Sequence, residues 1–227
     1  MAKHGKRYTD ILKKAPKDEV SLEEAITFVK ANANAKFDET IEVSFRLGVD
    51  TRKTDQTVRG TVNLPNGTGK NIRVVVFAAG QHADEALAAG ADAVGYEDLI
   101  EKVKGGWMDF DVAIATTDAM KEVRKIARVL GPRGLMPNPK TGTVTDDTAA
   151  AVKAAKGGKV DFRMDRGGNV GVLAGKASFD ADKLIGNIKA IVEAVKAERP
   201  PSAKGTFLRS MTVCSTMGAG VHILIKE

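Results

Sequence analysis

The sequence predicts an α/β protein of two domains, in which a discontinuous α+β outer domain formed by both chain ends carries an inserted parallel-sheet α/β middle domain. Three observations carry this. Strand and helix patterns alternate between residues 72 and 156, which implies a parallel sheet with crossover helices. The flanks read differently, as half-buried strands with one strong helix each, and neither flank holds enough elements to close a core. Two flexible stretches, Pro65-Asn66-Gly67-Thr68-Gly69 and Lys156-Gly157-Gly158-Lys159, bracket the middle. The expected boundaries are 1–67 plus 160–227 for the outer domain and 68–159 for a Rossmann-like insert. A double connection of this kind lets domains move as units about a hinge.

In the outer domain, Ser21 with Glu24 three residues later matches a capping box. Leu22, Ala25, Ile26, Val29 and Ala33 then recur at helical spacing. Ile41, Val43, Phe45 and Leu47 alternate with Glu42, Ser44 and Arg46, as in a strand with one buried face. Val58 to Leu64 reads as a second strand, expected antiparallel to the first. After the insert, Val160–Arg163 and Asn169–Ala174 are strands joined at Arg166-Gly167-Gly168. Asp180 is placed to cap a helix whose buried stripe is Leu184, Ile185, Ile188, Ile191, Val192 and Val195, with Pro200-Pro201 stopping it. Thr206–Cys214 and Ala219–Ile225 close the chain as strands.

In the insert, Ile72 to Ala78 is apolar apart from Arg73 and suits a strand covered on both faces. Helices are expected around Ala86-Leu87-Ala88 and Leu99–Val103, strands at Ala93–Gly95 and Val112–Ala115. Thr117 or Asp118 can cap a helix through Met120, Val123, Ile126 and Leu130. Gly131 ends it, and Asp146-Asp147 caps an Ala-rich helix from Thr148. Between them, Gly131–Lys140 holds three prolines, two glycines, Arg133 and Lys140. Proline excludes an ordinary helix or central strand here. The segment is either a stiff connector or a shaped loop presenting its two cations to a polyanion.

Composition narrows the chemistry. Of 227 residues, 43% are hydrophobic, and the net charge is +6. Residues 68–159 contain 13 basic and 12 acidic side chains, leaving 22 and 17 for the remainder. The outer domain is therefore the better candidate for phosphate contact. Lys3, Lys6, Arg7, Lys13, Lys14 and Lys17 make the N-terminus basic, either a solvated tail or an electrostatic arm on phosphate, with no apolar stretch of a secretory signal behind them. One cysteine, Cys214, excludes an internal disulfide and a Cys-rich zinc site, and is expected as a buried thiol in a reduced cytosolic setting. No apolar run is long enough for a membrane span.

Enzyme constellations are missing. His4, His82 and His222 have no metal-ligand spacing, Asp109 and Asp111 read as structural or solvated carboxylates, and Leu64 to Asn71 departs from the phosphate-loop pattern at both ends. The first βα turn lacks the glycine spacing of a dinucleotide site. No catalytic residue, metal or cofactor is expected. Aromatics are 5% and no strand clusters them as RNA-recognition sheets do. If RNA binds, it is by shape, phosphate and backbone contacts, and the best candidate for an added exposed aromatic is Phe37, with a core role as its alternative. Thr216-Met217-Gly218 is sufficient as a turn, and as a site it offers a hydroxyl, a soft apolar chain and a close-approach glycine.

Leu130-Gly131-Pro132-Arg133-Gly134-Leu135-Met136-Pro137-Asn138-Pro139-Lys140, Lys36-Phe37-Asp38-Glu39-Thr40-Ile41-Glu42, Gly106–Asp111, Gly175–Phe179, Lys204–Ser210 and Ser215–Gly218 form one set in one order over nearly the whole chain. The set resembles the L-one family of large-subunit ribosomal proteins, in its bacterial form. The resemblance implies a two-domain protein of the mobile stalk that binds large-subunit (23S) rRNA. It also implies help in releasing deacylated tRNA from the exit site, and repression of its own operon by binding mRNA. A monomer off the ribosome is implied, cytoplasmic, in the large subunit, with no membrane partner. By the same resemblance the RNA contacts fall on Lys36, Phe37, Thr40, Glu42, Ser210, Thr216, Met217 and Gly218, with the turn around Arg163 and Asp165 nearby. Arg133 and Lys140 remain secondary candidates for tRNA or rRNA. Ala219 stands where the family commonly has proline, and Arg166-Gly167 replaces a lysine-led pair.

Overall fold

A computed structural model describes residues 5–225, the side chain of Lys140 excepted; Lys3 and His4 thus lie outside the described residues. Helix α1 (Lys6–Lys14) replaces the expected tail or arm. Ile11 is its buried residue, and Tyr8, Ile11 and Ala15 fall on one side at helical spacing, a pattern the surrounding lysines obscure. Helix α2 (Leu22–Asn32) begins with the expected capping box: the Ser21 hydroxyl accepts from the Glu24 amide, and the Glu24 carboxylate accepts from the Ser21 amide. Strand β1 (Thr40–Leu47) buries Ile41, Val43, Phe45 and Leu47, as its alternation predicts.

Strand β2 (Arg59–Asn63) departs from expectation. It does not pair with β1 but joins a later strand in a separate two-stranded sheet. Sequence adjacency suggested a hairpin, yet Gly48 to Gln56 is a nine-residue excursion with its own 3₁₀ turn at Thr54–Gln56, and both edges of β1 are taken by strands from the far end of the chain.

Next come β3 (Val74–Phe77), α3 (Gln81–Ala88), β4 (Ala93–Gly95), α4 (Glu97–Lys104), β5 (Val112–Ala115), α5 (Met120–Val123), α6 (Ala127–Leu130) and α7 (Thr148–Lys156). The single helix expected over 120–130 is broken by a 3₁₀ turn at Arg124–Ile126. Its start is held by the hydroxyl of Thr116, which accepts from the Ala119 amide, rather than by Thr117 or Asp118. Asp147 caps α7 as expected, accepting from the Ala150 amide. Then follow β6 (Lys159–Arg163), β7 (Asn169–Lys176), α8 (Ala181–Ala197), β8 (Leu208–Ser215) and β9 (Val221–Ile223). Asp180 precedes α8, but its carboxylate pairs with Lys183 at 3.3 Å instead of capping.

The chain divides into two compact units, one of the residues up to Gly69 with those from Val160 onward, the other Lys70–Lys159. In the second, β4-β3-β5 form a parallel sheet. Val75 and Phe77 pack toward α4, α5 and α6, while Val74 and Val76 pack toward α3 and α7. Cover on both faces is why this strand reads as an unbroken apolar run.

In the first unit the order β7-β1-β8-β9 makes a fully antiparallel sheet. Helices α2 and α8 supply Ile26, Val29, Leu184, Ile188, Ile191 and Val195 to the core beneath one face. Within the apolar stripe of α8 stands the fully buried Asn187. Its side chain accepts from the Asn66 amide at 3.0 Å and donates to the carbonyls of Gly67 and Ala174 at 3.0 and 2.8 Å. It thus fastens the segment after β2 to α8 and β7. Asn187→Ala strips its partner from the buried Ala174 carbonyl, at about 1–3 kcal/mol, and also releases the more accessible Asn66 amide and Gly67 carbonyl, which water can reach. We expect a loss of about 2 kcal/mol, read in a thermal melt as a Tm lower by roughly 4–8 °C.

Candidate nucleic-acid interface

The alternation that buries one face of β1 leaves the other open. Thr40, Glu42, Ser44 and Arg46 point outward there. Register aligns Glu42 with Leu173 and Cys214, Ser44 with Gly171 and Thr212, and Arg46 with Asn169 and Ser210. On the outermost strand His222 shares a 3.0 Å hydrogen bond with the Thr212 hydroxyl. Small and polar side chains therefore pave a sheet face that α2 and α8 do not cover, the kind of surface a folded polyanion can approach closely.

One end of this face is organised by Glu39. Its side chain is 1% exposed. One carboxylate oxygen accepts from the Ala35 amide at 2.9 Å. The other accepts from the Ser215 hydroxyl at 2.7 Å and the Met217 amide at 3.0 Å. Burial pushes the Glu39 carboxyl upward, but the Ser215 hydroxyl, the Ala35 and Met217 amides and the nearby Arg7 charge outweigh it and hold the group below its ordinary value. The group is thus an anion that ties loop 35–39 to turn 215–218. Thr216 adds to the tie: its hydroxyl accepts from the Thr40 amide at 2.9 Å and its own amide donates to the Thr40 carbonyl. Lys176 donates to the Asp38 carbonyl and the Thr40 hydroxyl, and Asp38 accepts from the amide and hydroxyl of Ser178.

Two large apolar side chains stand out of this braced structure. Phe37 is 55% exposed and Met217 51%. The core role open to Phe37 in the sequence is excluded. Held in solvent by a hydrogen-bonded scaffold, the two side chains are the candidates for contact with a partner. Lys36 is accessible beside Phe37. Gly218 has its own reason to lack a side chain, since a Cβ there would lie 2.5 Å from the Ser215 hydroxyl that reaches Glu39.

The remaining candidates sit elsewhere. Ser210 lies opposite Arg46, six residues along β1 from Thr40 and so about 20 Å away. At that end Arg163 is exposed. Asp165 spends its carboxylate on the turn, accepting from the amides of Gly167 and Asn169 and from the Asn169 side chain. The Asn169 amide and side chain hold the Asp165 carboxyl below its ordinary value. The structure thus gathers Lys36, Phe37, Thr40, Glu42, Thr216, Met217 and Gly218, and leaves Ser210, Arg163 and Asp165 as a second group. Arg133 belongs to the other unit, exposed in a 3₁₀ turn at Gly131–Arg133 that closes at Gly134 with φ 72°; the Lys140 side chain is outside the described residues.

Cys214 is not the core thiol expected. It is half-buried on the open face, 3.6 Å from Glu42. Burial and the Glu42 charge push its pKa up to about 11, so it stays protonated and unreactive at neutral pH. Among the described residues no His, Cys, Asp and Glu cluster could hold a metal, and no helix is long and apolar enough to cross a membrane.

Sequence reasoning missed Glu39, Lys176 and Arg7 as members of this site. For Glu39 a signal existed: extending the β1 alternation back two places from Ile41 puts a carboxylate on the buried side. No local pattern announces the other two, whose partners are far away in the chain.

The similarity of this chain to known proteins is extensive. It is 53% identical to the large ribosomal subunit protein uL1 of Mycobacteroides abscessus over 224 residues, covering 98% of this chain and 95% of that one. Identity to the protein of the same name from Saccharopolyspora erythraea is 58% over 200 residues, 88% and 84% of the two chains. For that of Corynebacterium glutamicum it is 53% over 224 residues, 98% and 95%. The model of the ribosomal protein L1p/L10e family matches residues 29–219. The chain therefore belongs to the ribosomal protein L1p/L10e family, whose members are ribosomal proteins and not enzymes.

Proposed function

We propose that this protein is a structural constituent of the large ribosomal subunit that binds large-subunit (23S) rRNA in the mobile stalk through the open face of its antiparallel sheet. The observation that carries the reading is the pair Phe37 and Met217, both held exposed on loops tied through the buried Glu39. Family membership and the names of the relatives support it. Phe37 stacks on an unpaired base, the sequence-tolerant contact that aromatic side chains offer RNA. Met217 packs against a neighbouring base or ribose, and Gly218 lets the backbone approach. Lys36 and Arg163 meet phosphates, the Thr40 and Ser210 hydroxyls meet the sugar-phosphate backbone, and Thr216 and Asp165 hold their turns in shape. Glu42 would repel phosphate, so its role is to accept a hydrogen bond from a ribose 2′-OH or base amine.

The same surface would accept a similar fold in the mRNA of its own operon and so repress translation. Within the stalk the protein would assist release of deacylated tRNA from the exit site, with Arg133 and Lys140 of the other unit as phosphate contacts. Off the ribosome it is read as a cytoplasmic monomer. These finer roles rest on the family resemblance.

Footprinting on deproteinised large-subunit rRNA tests the reading. A discrete protected segment is expected, and uniform or absent protection would overturn it. For Glu42→Gln we expect a weaker preference for an RNA hairpin over the DNA hairpin of matched sequence. Unchanged discrimination would remove Glu42 from the contact.

A further inference from the structure

We infer that α1 is a second RNA-binding element, a phosphate-contacting helix fixed beside the Thr216–Gly218 turn by Arg7; this rests on the reading above.

The placement comes from one long-range bond. The Arg7 guanidinium donates to the Met217 carbonyl at 3.3 Å, across 210 residues of sequence. The residue whose side chain is offered to RNA thus has its carbonyl bound by α1 and its amide bound by Glu39. The Arg7 charge also acts on Glu39, so the helix is drawn to the anion that organises the site.

The helix is built to show cations outward. At 100° per residue, Lys6, Arg7, Lys13 and Lys14 fall within about a third of the helix circumference, and buried Ile11 lies outside that arc. Lys6, Lys13 and Lys14 are all exposed. The acidic residue in the arc is Asp10, 3.7 Å from Lys13, with both side chains about two-thirds exposed or more. Such a pair is weak and yields to a stronger anion. Seating the helix through Ile11 and Tyr8 calls for an apolar side only; it gives no reason for four cations on the other side. From Lys6 to Lys13 the helix advances about 10 Å. The basic arc therefore adds positive charge to the Phe37–Met217 surface, beside a sheet face that also carries the exposed anion Glu42. The ligand is the sugar-phosphate backbone, read by charge and not by sequence.

The test uses the full chain with Lys6→Gln, Lys13→Gln and Lys14→Gln combined, and deproteinised large-subunit rRNA, in filter binding across about 50 to 200 mM KCl. Each lost phosphate contact removes about 0.7–0.9 from the slope of log K against log salt. The triple variant is expected to show a slope shallower by about 2, with Tm and the preference for large- over small-subunit rRNA unchanged. A wild-type slope would overturn the inference. Arg7→Met, which leaves the three lysines but releases the helix, is expected to reduce the slope by more than one contact; a smaller change would overturn the placement by Arg7. If the wild-type chain itself shows no preference for large-subunit rRNA, the proposed function fails and this inference with it.

Discussion

Glu39→Ala is expected to cost more stability than a change at any of the proposed RNA-contacting side chains, and to weaken RNA binding as well. The substitution removes the acceptor for the Ser215 hydroxyl and the Ala35 and Met217 amides around a side chain only 1% exposed. Unsatisfied buried donors cost roughly 1–3 kcal/mol each, and a cavity is left besides, so a loss of about 3 kcal/mol or more should appear in a thermal melt. Glu39→Gln keeps the shape and one carbonyl oxygen but turns its amide NH2 group, a donor, toward donors, so its loss should be intermediate. The pH dependence has a definite sign. The folded-state pKa is depressed, so the stabilisation is present above the ordinary carboxylate range and is lost as pH falls through the depressed value. Melts across acidic pH should show the wild type losing stability there more steeply than Glu39→Gln. Equal acid sensitivity would mean that the carboxylate contributes only shape.

Phe37→Ala and Met217→Ala should do the opposite. Each removes an exposed side chain, so Tm should stay within about 1 °C, the small effect usual for surface changes. Base–aromatic stacking is worth about 1–3 kcal/mol, so Phe37→Ala should weaken binding to large-subunit rRNA by roughly 5- to 150-fold, and Met217→Ala by less. Filter binding and a melt on the same samples decide it. A large fall in Tm with unaltered binding would return both residues to structural roles.

The contrast between these predictions marks what the chain reveals by itself. The antiparallel unit and the parallel unit were legible because each imposes its own period. Alternation in β1 means one covered face, and the apolar run of β3 means two. Partner choice was not legible. Nothing in Val58–Leu64 says that β2 turns away from β1, because that depends on strands more than a hundred residues on that claim both edges of β1. The interface divides in the same way. Phe37 and Met217 stand out as chemistry suited to a base, but their exposure rests on Glu39, Ser215 and Arg7, a network whose members are scattered over the chain. Cys214 was misjudged because its apolar neighbours alternate: Val213 faces the core and Cys214 does not.

The interleaved sheet also dictates an order of assembly. β1 lies between β7 and β8, and Thr40 meets Lys176 across 136 residues. During synthesis β1 therefore emerges long before either neighbour exists, and closing those contacts early carries the entropic cost of a very large loop. Residues Lys70–Lys159, by contrast, are continuous and hold β3, β4 and β5 together. They can collapse while the chain is still growing, and in doing so they shorten the effective loop that separates β1 from β7. The segment inserted into the antiparallel unit thus serves that unit's folding, by bringing the two halves of a divided sheet within reach of each other before the last strands arrive.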